Sequence, residues 1–540
     1  MSDELGSSLA RRLDVLKGAR NVHEQVWRDC FMLTDPVRAS GLQGPTMDAS
    51  QIAQAVACIF DSTATDAKRT LEASIMSGMT PANSLWFLMH VNGTDDAGTR
   101  WLDSASELLW ENIHSANFDS EASDAIGDAM GGWMALYIDE DRENGGLYFE
   151  HWPMAGVYCA SSKPGGVVDT VFRPYKLTAE QAVAEFNKRG DQLPQKIVDA
   201  AKNGRQDEQF EFCQCIYPRG VSAVNAVRAK NLPIASVTIA CEAKAVVRDS
   251  GYHEMPVVVA RWKKIPNSVY GVGPLLDALP DIRTLNDIVK LEYANLDLAV
   301  SGMWIAEDDG VLNPRTVKVG PRKIIVANSV ESMKPLVSGA NFQLAEQRIE
   351  KLQGQIRKTL MADQLQAQDG PAMTATEVHV RVDLIRQLLG PIYGRLQAEY
   401  LQPLIARCFG LAFRAGIFPA PPPSLSGRPF TIQYQSPLAR AQKLEEVTAI
   451  ERLMGDASVM AQVDPTVLDN IDTDEAVRQT AKGLGVPDSI IRPADKVAQF
   501  RQQKQAAQQQ QAQQQMGTEV TGDVLKSAGS AAAQRMVANA

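Results

Sequence analysis

The chain has 540 residues, of which 45% are hydrophobic and 22% charged, a composition that buries a substantial core and allows roughly three or four structural units. Its formal net charge of −10 argues against a surface that grips nucleic acid throughout, because phosphate contacts call for basic patches. Cys30, Cys58, Cys159, Cys213, Cys215, Cys241 and Cys408 are an odd set with no C-x-x-C pair, so a reduced cytosolic protein is expected rather than a disulfide scaffold.

The opening "MSDELGSSLARRLDVLKG" holds no apolar segment of a secretion signal, and no apolar run reaches the roughly 18 residues of a membrane span. Residues 9–35 read as an amphipathic helix, with Leu9, Leu13, Leu16, Val26, Trp27 and Phe31 near helical spacing and Asp35-Pro36 as its end. A second helical region is expected over 48–78, closed by Gly78 and Pro81, and a third over 99–117 around Trp101, Leu102, Leu108, Leu109 and Trp110.

From about 132 to 262 the pattern changes to short β-branched and aromatic runs: "ALYIDE", "GGLYFEHW", "GVYCAS", "GGVVDTVFRPY", "FEFCQCIYP", "VTIACEAKAVV" and "MPVVVARW". Thr178 followed three residues later by Gln181 opens one interposed helix as a capping box. The middle is thus β-rich with a helix inserted.

From 274 one apolar stripe, Leu275, Leu279, Ile282, Leu285, Val289, Tyr293 and Leu296, marks a long helix; about 25 residues would span roughly 38 Å. A strand-like insertion over 303–337 follows, with turns at Asp309-Gly310, Asn313-Pro314 and Gly320-Pro321. A second helix is expected over 341–361, with Ile349, Leu352, Ile356 and Leu360 on one face. The polar stretch 362–373 then separates it from the longest helix, which Thr374 and Glu377 start as a capping box. The stripe Val378, Val382, Ile385, Leu389, Ile392, Leu396, Tyr400 and Leu404 runs through Gly390-Pro391, where a missing N–H and a steric clash predict a kink. The helix ends near Gly416. "FPAPPPSLSG" is a stiff linker to the strand "FTIQYQS", a small helical unit covers about 437–500, and a glutamine-rich tail closes the chain.

Few motifs suggest chemistry. Gly271-x-Gly273 lacks a third glycine and has Pro274 at the first helical position, and no G-x-x-x-x-G-K-[ST] occurs, so it reads as a turn and helix start. "EDDG" at 307–310 and "DEDRE" at 139–143 do not fit a calcium loop. Six scattered histidines give no H-E-x-x-H, and G-x-S-x-G is absent. No catalytic residue, metal site or cofactor is expected. The loop at 362–373 is long, polar and chemically inert, which suggests that its role concerns something passing beside it.

Several passages, in order, resemble the head-to-tail connector, or portal, proteins of short-tailed bacteriophages: "ARNVHEQVWRDCFMLTDP", "FDSTATDAKRTLEASIMSGMTPANSLWF", "VVDTVFRPYKLTAEQAVAEF", "MPVVVARWKKIPNSVYGVGPLLDALPDIRTLNDIVKLEYANLDLAVSGMWIAEDDGVL" and "MTATEVHVR". The resemblance spans most of residues 10–420. It implies a non-enzymatic α+β subunit that joins about twelve copies in a ring at one capsid vertex, through which double-stranded DNA is packaged and ejected. Its implied partners are the terminase large subunit, tail adaptor or head completion proteins, and major capsid and scaffolding proteins, without a membrane. The implied locations are the virion and, during assembly, the host cytoplasm.

Carried onto this chain, residues 1–273 look like the wing, 274–302 and 338–361 like the stem helices, and 303–337 like the clip. Residues 362–373 resemble the tunnel loop, 374–436 the long kinked wing helix with its linker and strand, 437–500 the crown, and 501–540 a tail of low order. The channel side would carry Arg357, Lys358, Gln364, Gln366, Gln368, Asp369 and Gly370. The clip would meet its partners through Trp304, Asp308, Asp309, Asn313, Arg315, Lys318 and Arg322. Weak or repulsive contacts from the glutamines and Asp369 would let DNA slide, since many strong phosphate contacts resist movement. Another capsid or tail structural protein, or a soluble enzyme with an unrecognised site, are the alternatives.

Overall fold

A computed structural model describes residues 2–91, 95–141, 144–188, 190–220, 228–301, 304–306, 333–335, 342–365, 390, 392–425, 430–434, 437–461, 466, 471–484, 497 and 499–504. The chain divides into two units, one of residues 1–89, 105–420 and 432–436, the other of residues 90–104, 421–431 and 437–540.

The first unit begins with α1 (Ser2–Met32). Leu9, Leu13 and Leu16 recur every three or four residues and are buried on one face, as an amphipathic helix on a sheet requires. α2 (Pro36–Ala39), α3 (Ala49–Ala57) and α4 (Thr63–Met79) follow. After β1 (Phe87–His90) come α5 (Asp96–Ser115) and α6 (Phe118–Ala129). The single helix expected over 48–78 is therefore two helices with a break at 58–62.

The β-rich middle forms two antiparallel sheets. β2 (Trp133–Glu140) lies between β3 (Leu147–His151) and β9 (Val257–Arg261). β4 (Tyr158–Ala160), β5 (Thr170–Thr178), β6 (Gln209–Pro218), β7 (Ile234–Ala240) and β8 (Ala245–Tyr252) pair in sequence order as a meander. Each expected β run supplies a strand except "VTIACEAKAVV", whose turn at 241–244 divides it between β7 and β8.

Alternation along β6 explains both faces of the meander. Cys213 and Cys215 point into a cluster with Phe172, Val237, Ile239 and the α1 leucines. Phe210 and Phe212, one residue out of phase, face the opposite cluster with α7 (Ala179–Glu185) and α8 (Gln195–Lys202). The Thr178–Gln181 capping box is present at the start of α7; α8 was not anticipated. Its short run after Pro194 has no strong sequence signal.

The hairpin β10 (Lys263–Lys264) and β11 (Gly271–Val272) leads into α9 (Pro274–Ser301). The strands β12 (Trp304–Ala306) and β13 (Met333–Pro335) pair antiparallel, Trp304 opposite Pro335. Then come α10 (Phe342–Thr359), α11 (Ala362–Leu365), a π-helical turn over Gln397–Leu401, α12 (Gln402–Arg414) and β14 (Thr431–Tyr434).

In the second unit α13 (Pro437–Ala461) packs against α14 (Thr473–Leu484), with Val447, Ala457 and Ala481 buried. Arg501 closes a two-pronged ion pair on Asp474, both bonds 2.7 Å.

Candidate functional site

The helical pair α9 and α10 is the part of the fold that the sequence marks for function, and its mount can be followed residue by residue. α9 starts against the chain at Met130–Gly132: the Gly273 N–H donates to the Gly131 carbonyl at 3.1 Å and the Leu275 N–H to that of Met130 at 3.3 Å. A Cβ on Gly273 would lie 1.9 Å from the Met130 oxygen, so this approach admits only glycine. Gly271-x-Gly273 is thus a docking point for backbone. Trp27 donates to the Gly271 carbonyl at 3.1 Å and meets Trp133 and Tyr270 at ring separations of 6.0 and 5.4 Å.

Along α9, Leu275, Leu279, Ile282, Leu285 and Val289 are buried as expected. The stripe does not continue under cover: Tyr293 and Leu296 are 56% and 52% exposed. Tyr293 meets the Phe60 ring at 6.3 Å between centroids, while Leu296 stands open to solvent. α10 behaves alike, with Leu352, Ile356 and Leu360 buried near its C-terminal end and Ile349 only half-buried.

The break between α3 and α4 holds both helices. Asp61 Oδ1 accepts from the Thr63 N–H at 2.9 Å and so helps to start α4. Its Oδ2 accepts from Gln353 of α10 at 2.8 Å. One residue earlier, the Phe60 N–H donates to Asn286 Oδ1 of α9 at 2.7 Å, and Asn286 Nδ2 donates to the Cys58 carbonyl at 3.1 Å. A continuous helix would have consumed these backbone groups internally. The break exposes them for a clasp.

Beyond the pair, α10 ends at Thr359 and Met361 takes a positive φ of 59°. Residues 362–365, expected as the first part of a loop, form α11, whose Ala362 is buried. α11 packs on α4, and that contact stabilises one helical turn where polar composition alone suggested none. Arg357 and Lys358 are exposed at the end of α10. Gln364 falls on α11, while its side chain and the residues Gln366, Gln368, Asp369 and Gly370 lie outside the described residues, as do Thr374, Glu377, the stripe through Leu389, and Pro391.

Of the clip positions, Trp304 begins β12. Asp308, Asp309, Asn313, Arg315, Lys318 and Arg322 lie outside the described residues.

Ion pairs, the first of them buried, fasten residues 399–414 to the β-rich middle. Glu399, in the π-helical turn, accepts from Arg261 Nε at 2.9 Å, from its Nη2 at 2.8 Å and from its backbone N–H at 3.2 Å. The turn has a local cause: Pro403 has no N–H for the Glu399 carbonyl, and the Gln402 N–H reaches back five residues to Gln397. One turn on, Arg407 Nη1 bonds Glu254 at 3.0 Å, and Arg414 grips the same carboxylate at 2.6 and 2.7 Å. Burial alone would raise the Glu254 carboxyl, yet Arg414 and Arg407 hold it below its ordinary value.

Asp128 is governed by the same balance. Burial pushes it up, but His151 at 2.9 Å, Arg38 at 2.8 Å and the Met154 N–H bring it below the ordinary range. His151 and His114, which bonds Asp119 at 2.9 Å and accepts from Trp86 at 3.1 Å, thus serve local packing.

These arrangements bear load and do not assemble a reaction centre. All seven cysteines are free thiols; burial pushes those of Cys30, Cys159 and Cys408 up to about 12, which leaves them unreactive. Among the described residues no group of His, Cys, Asp or Glu could hold a metal, and no helix is long and apolar enough to cross a membrane. Asn286, Gln353 and Glu399 were not singled out from the sequence. A polar residue beside a buried helical stripe was the only available signal, and many surface positions share it.

Comparison with known proteins gives the chain its family. Residues 7–491 match the sequence family described as "Bacteriophage head to tail connecting protein". A curated "Portal protein" of Salmonella phage epsilon15 is 27% identical over 530 residues, covering 94% of this chain and 93% of that protein. A "Probable portal protein" of Bordetella phage BPP-1 is 26% identical over 474 residues, covering 83% of each. Among solved structures, a chain of the "Virion of native gene transfer agent (GTA) particle" is 12% identical, with 66% of this chain and 89% of that chain covered and a TM-score of 0.28.

Proposed function

The chain belongs to the bacteriophage head to tail connecting proteins, and from that premise we propose that it is the subunit of a ring-shaped portal through which double-stranded DNA enters and leaves the capsid. It is a structural protein and not an enzyme. The observation that carries the proposal is the family match over residues 7–491. The α9–α10 pair supports it: two long helices bound by Asn286 and Gln353 to one short turn suit a repeating wall better than a cleft.

In this reading about twelve copies close the ring at one vertex of the virion. α9 and α10 form its stem, residues 303–337 its clip, and residues 362–373 its channel loop. The terminase large subunit and then tail adaptor proteins meet the clip, while major capsid and scaffolding proteins surround the wing; assembly takes place in the host cytoplasm. Arg357 and Lys358 offer a sparse ring of positive charge, and Gln364, Gln366 and Gln368 offer contacts too weak to arrest a sliding duplex.

Electron microscopy of the purified protein tests this. Averages down the particle axis are expected to show a closed ring with a hole wide enough for duplex DNA, and native mass to give about twelve copies. A closed particle without an axial hole would reject the proposal. The chain with lysine at positions 364, 366 and 368 is expected to form rings yet package poorly.

A further inference from the structure

α9 carries a second regular face, opposite its buried stripe. Asp277, Asp281, Thr284, Ile288, Leu291 and Asn295 follow one another at intervals of four and three residues, the spacing of a seam between helices. Leu291 is 64% exposed and Ile288 half-buried. Asp287 and Glu292 flank this seam. The two bases of α9 stand to one side and are already engaged, Arg283 with Asp29 at 2.6 Å and Lys290 over the Phe60 ring at 5.9 Å.

The outer face of α10 is different. Leu344, Gln347, Lys351, Gly354 and Lys358 recur at intervals of three and four; Lys351 and Lys358 are exposed, and Glu350, exposed as well, flanks the row. A Cβ placed on Gly354 would meet nothing within 4 Å in this chain. Among the described residues, no ion pair uses Asp281, Asp287, Glu292, Lys351 or Lys358.

Asn286 and Gln353 bind the same short turn, which sets the relative height of the two helices. Asp281 lies five residues before Asn286 and Lys358 five residues after Gln353, each about 7.5 Å toward the mounted end. Asp287 and Lys351 fall within about 3 Å of the clasp on its other side. Gly354 comes between the levels of Thr284 and Ile288.

We propose that the acidic outer face of α9 in one copy packs on the basic outer face of α10 in the next, with Asp281 meeting Lys358, which leaves Arg357 alone to the channel, Asp287 meeting Lys351, and Ile288 seated at Gly354. The proposal rests on the ring reading above and names its contact. Because the two faces differ, the contact is heterologous: every copy offers one face of each kind, and repetition closes a ring. Complementary charge fixes the register and rejects the like-with-like pairing of two α9 faces.

Charge reversal is the test. Lys351→Glu with Lys358→Glu, and separately Asp281→Lys with Asp287→Lys, are expected to lower the fraction of chains in rings at least tenfold by native mass spectrometry, with circular dichroism unchanged. All four substitutions in one chain restore opposite charges at every contact and are expected to rebuild the ring. Gly354→Leu, whose Cβ meets nothing within 4 Å in its own chain, is expected to block assembly without affecting folding. Rings that survive both reversals, or a four-fold variant no better than either pair, would overturn the contact. A rebuilt ring lacking an axial hole would instead sink the portal reading and leave this contact standing.

Discussion

Replacing Glu399 with Gln isolates the electrostatic part of the long helix's anchorage. The side chains of Arg261 and Glu399 are 1% and 6% exposed, so the neutral amide would leave a guanidinium without its counter-charge in a site that water scarcely reaches. Breaking a buried pair by removing one partner costs about 3–5 kcal/mol. The lower end applies because the amide oxygen still accepts one bond and Arg261 keeps the Gly166 and Val269 carbonyls at 3.1 and 3.4 Å. A loss of about 3 kcal/mol corresponds to roughly 150-fold in an opening equilibrium.

A chain of two units is not expected to melt in one step, so the assay is native-state hydrogen exchange resolved by mass spectrometry over residues 257–261 and 397–414. Exchange there should accelerate by about two orders of magnitude. Glu242→Gln, which breaks a pair with Lys196 whose side chains are each 62% exposed, should change nothing. Arg261→Met combined with Glu399→Leu should recover more than half of the loss, since apolar groups carry no stranded charge. Exchange within about threefold of the unsubstituted chain for Glu399→Gln would refute the argument.

The clasp predicts that Asn286→Ala destabilises the α3–α4 break by about 1–2 kcal/mol, because the Phe60 N–H and Cys58 carbonyl lose partners in a part-exposed site; faster limited proteolysis at 58–62 is the readout, and Asn286→Asp, which keeps the acceptor, should fall between. Acid should weaken the anchors in a defined window. Asp128 and Glu254 both have depressed folded-state values, so their stabilisation is complete above the unfolded carboxylate range and is lost as pH falls through the folded values. Acid unfolding curves of Asp128→Asn and Glu254→Gln should therefore differ most from the unsubstituted chain above about pH 4 and converge with it below; a difference that grows as pH falls would contradict the assignment.

Most secondary structure was legible because it is written in local pattern. The alternation in "FEFCQC" announces a strand with two different faces, and the four-and-three spacing of Leu9, Leu13 and Leu16 announces an amphipathic helix. Thr178 with Gln181 marks a helix start through bonds made within four residues. The passages that carry the family are equally local, which is why family and architecture could be read without coordinates.

Local pattern could not decide what each element meets. Within residues 58–62 Asp61 helps to start α4 locally, but the partners of the freed backbone and carboxylate, Asn286 and Gln353, lie more than 200 residues away. Tyr293 and Leu296 continue a stripe that the fold leaves exposed, because burial depends on which neighbours the tertiary structure brings to each position. Glu399 looks like any helical carboxylate until Arg261 lies 138 residues away in sequence but 2.8 Å away in space. The chain by itself determined most of the elements, their order and the family; the tertiary structure decided the clasp and the anchors, because those depend on distances that no spacing along the chain encodes.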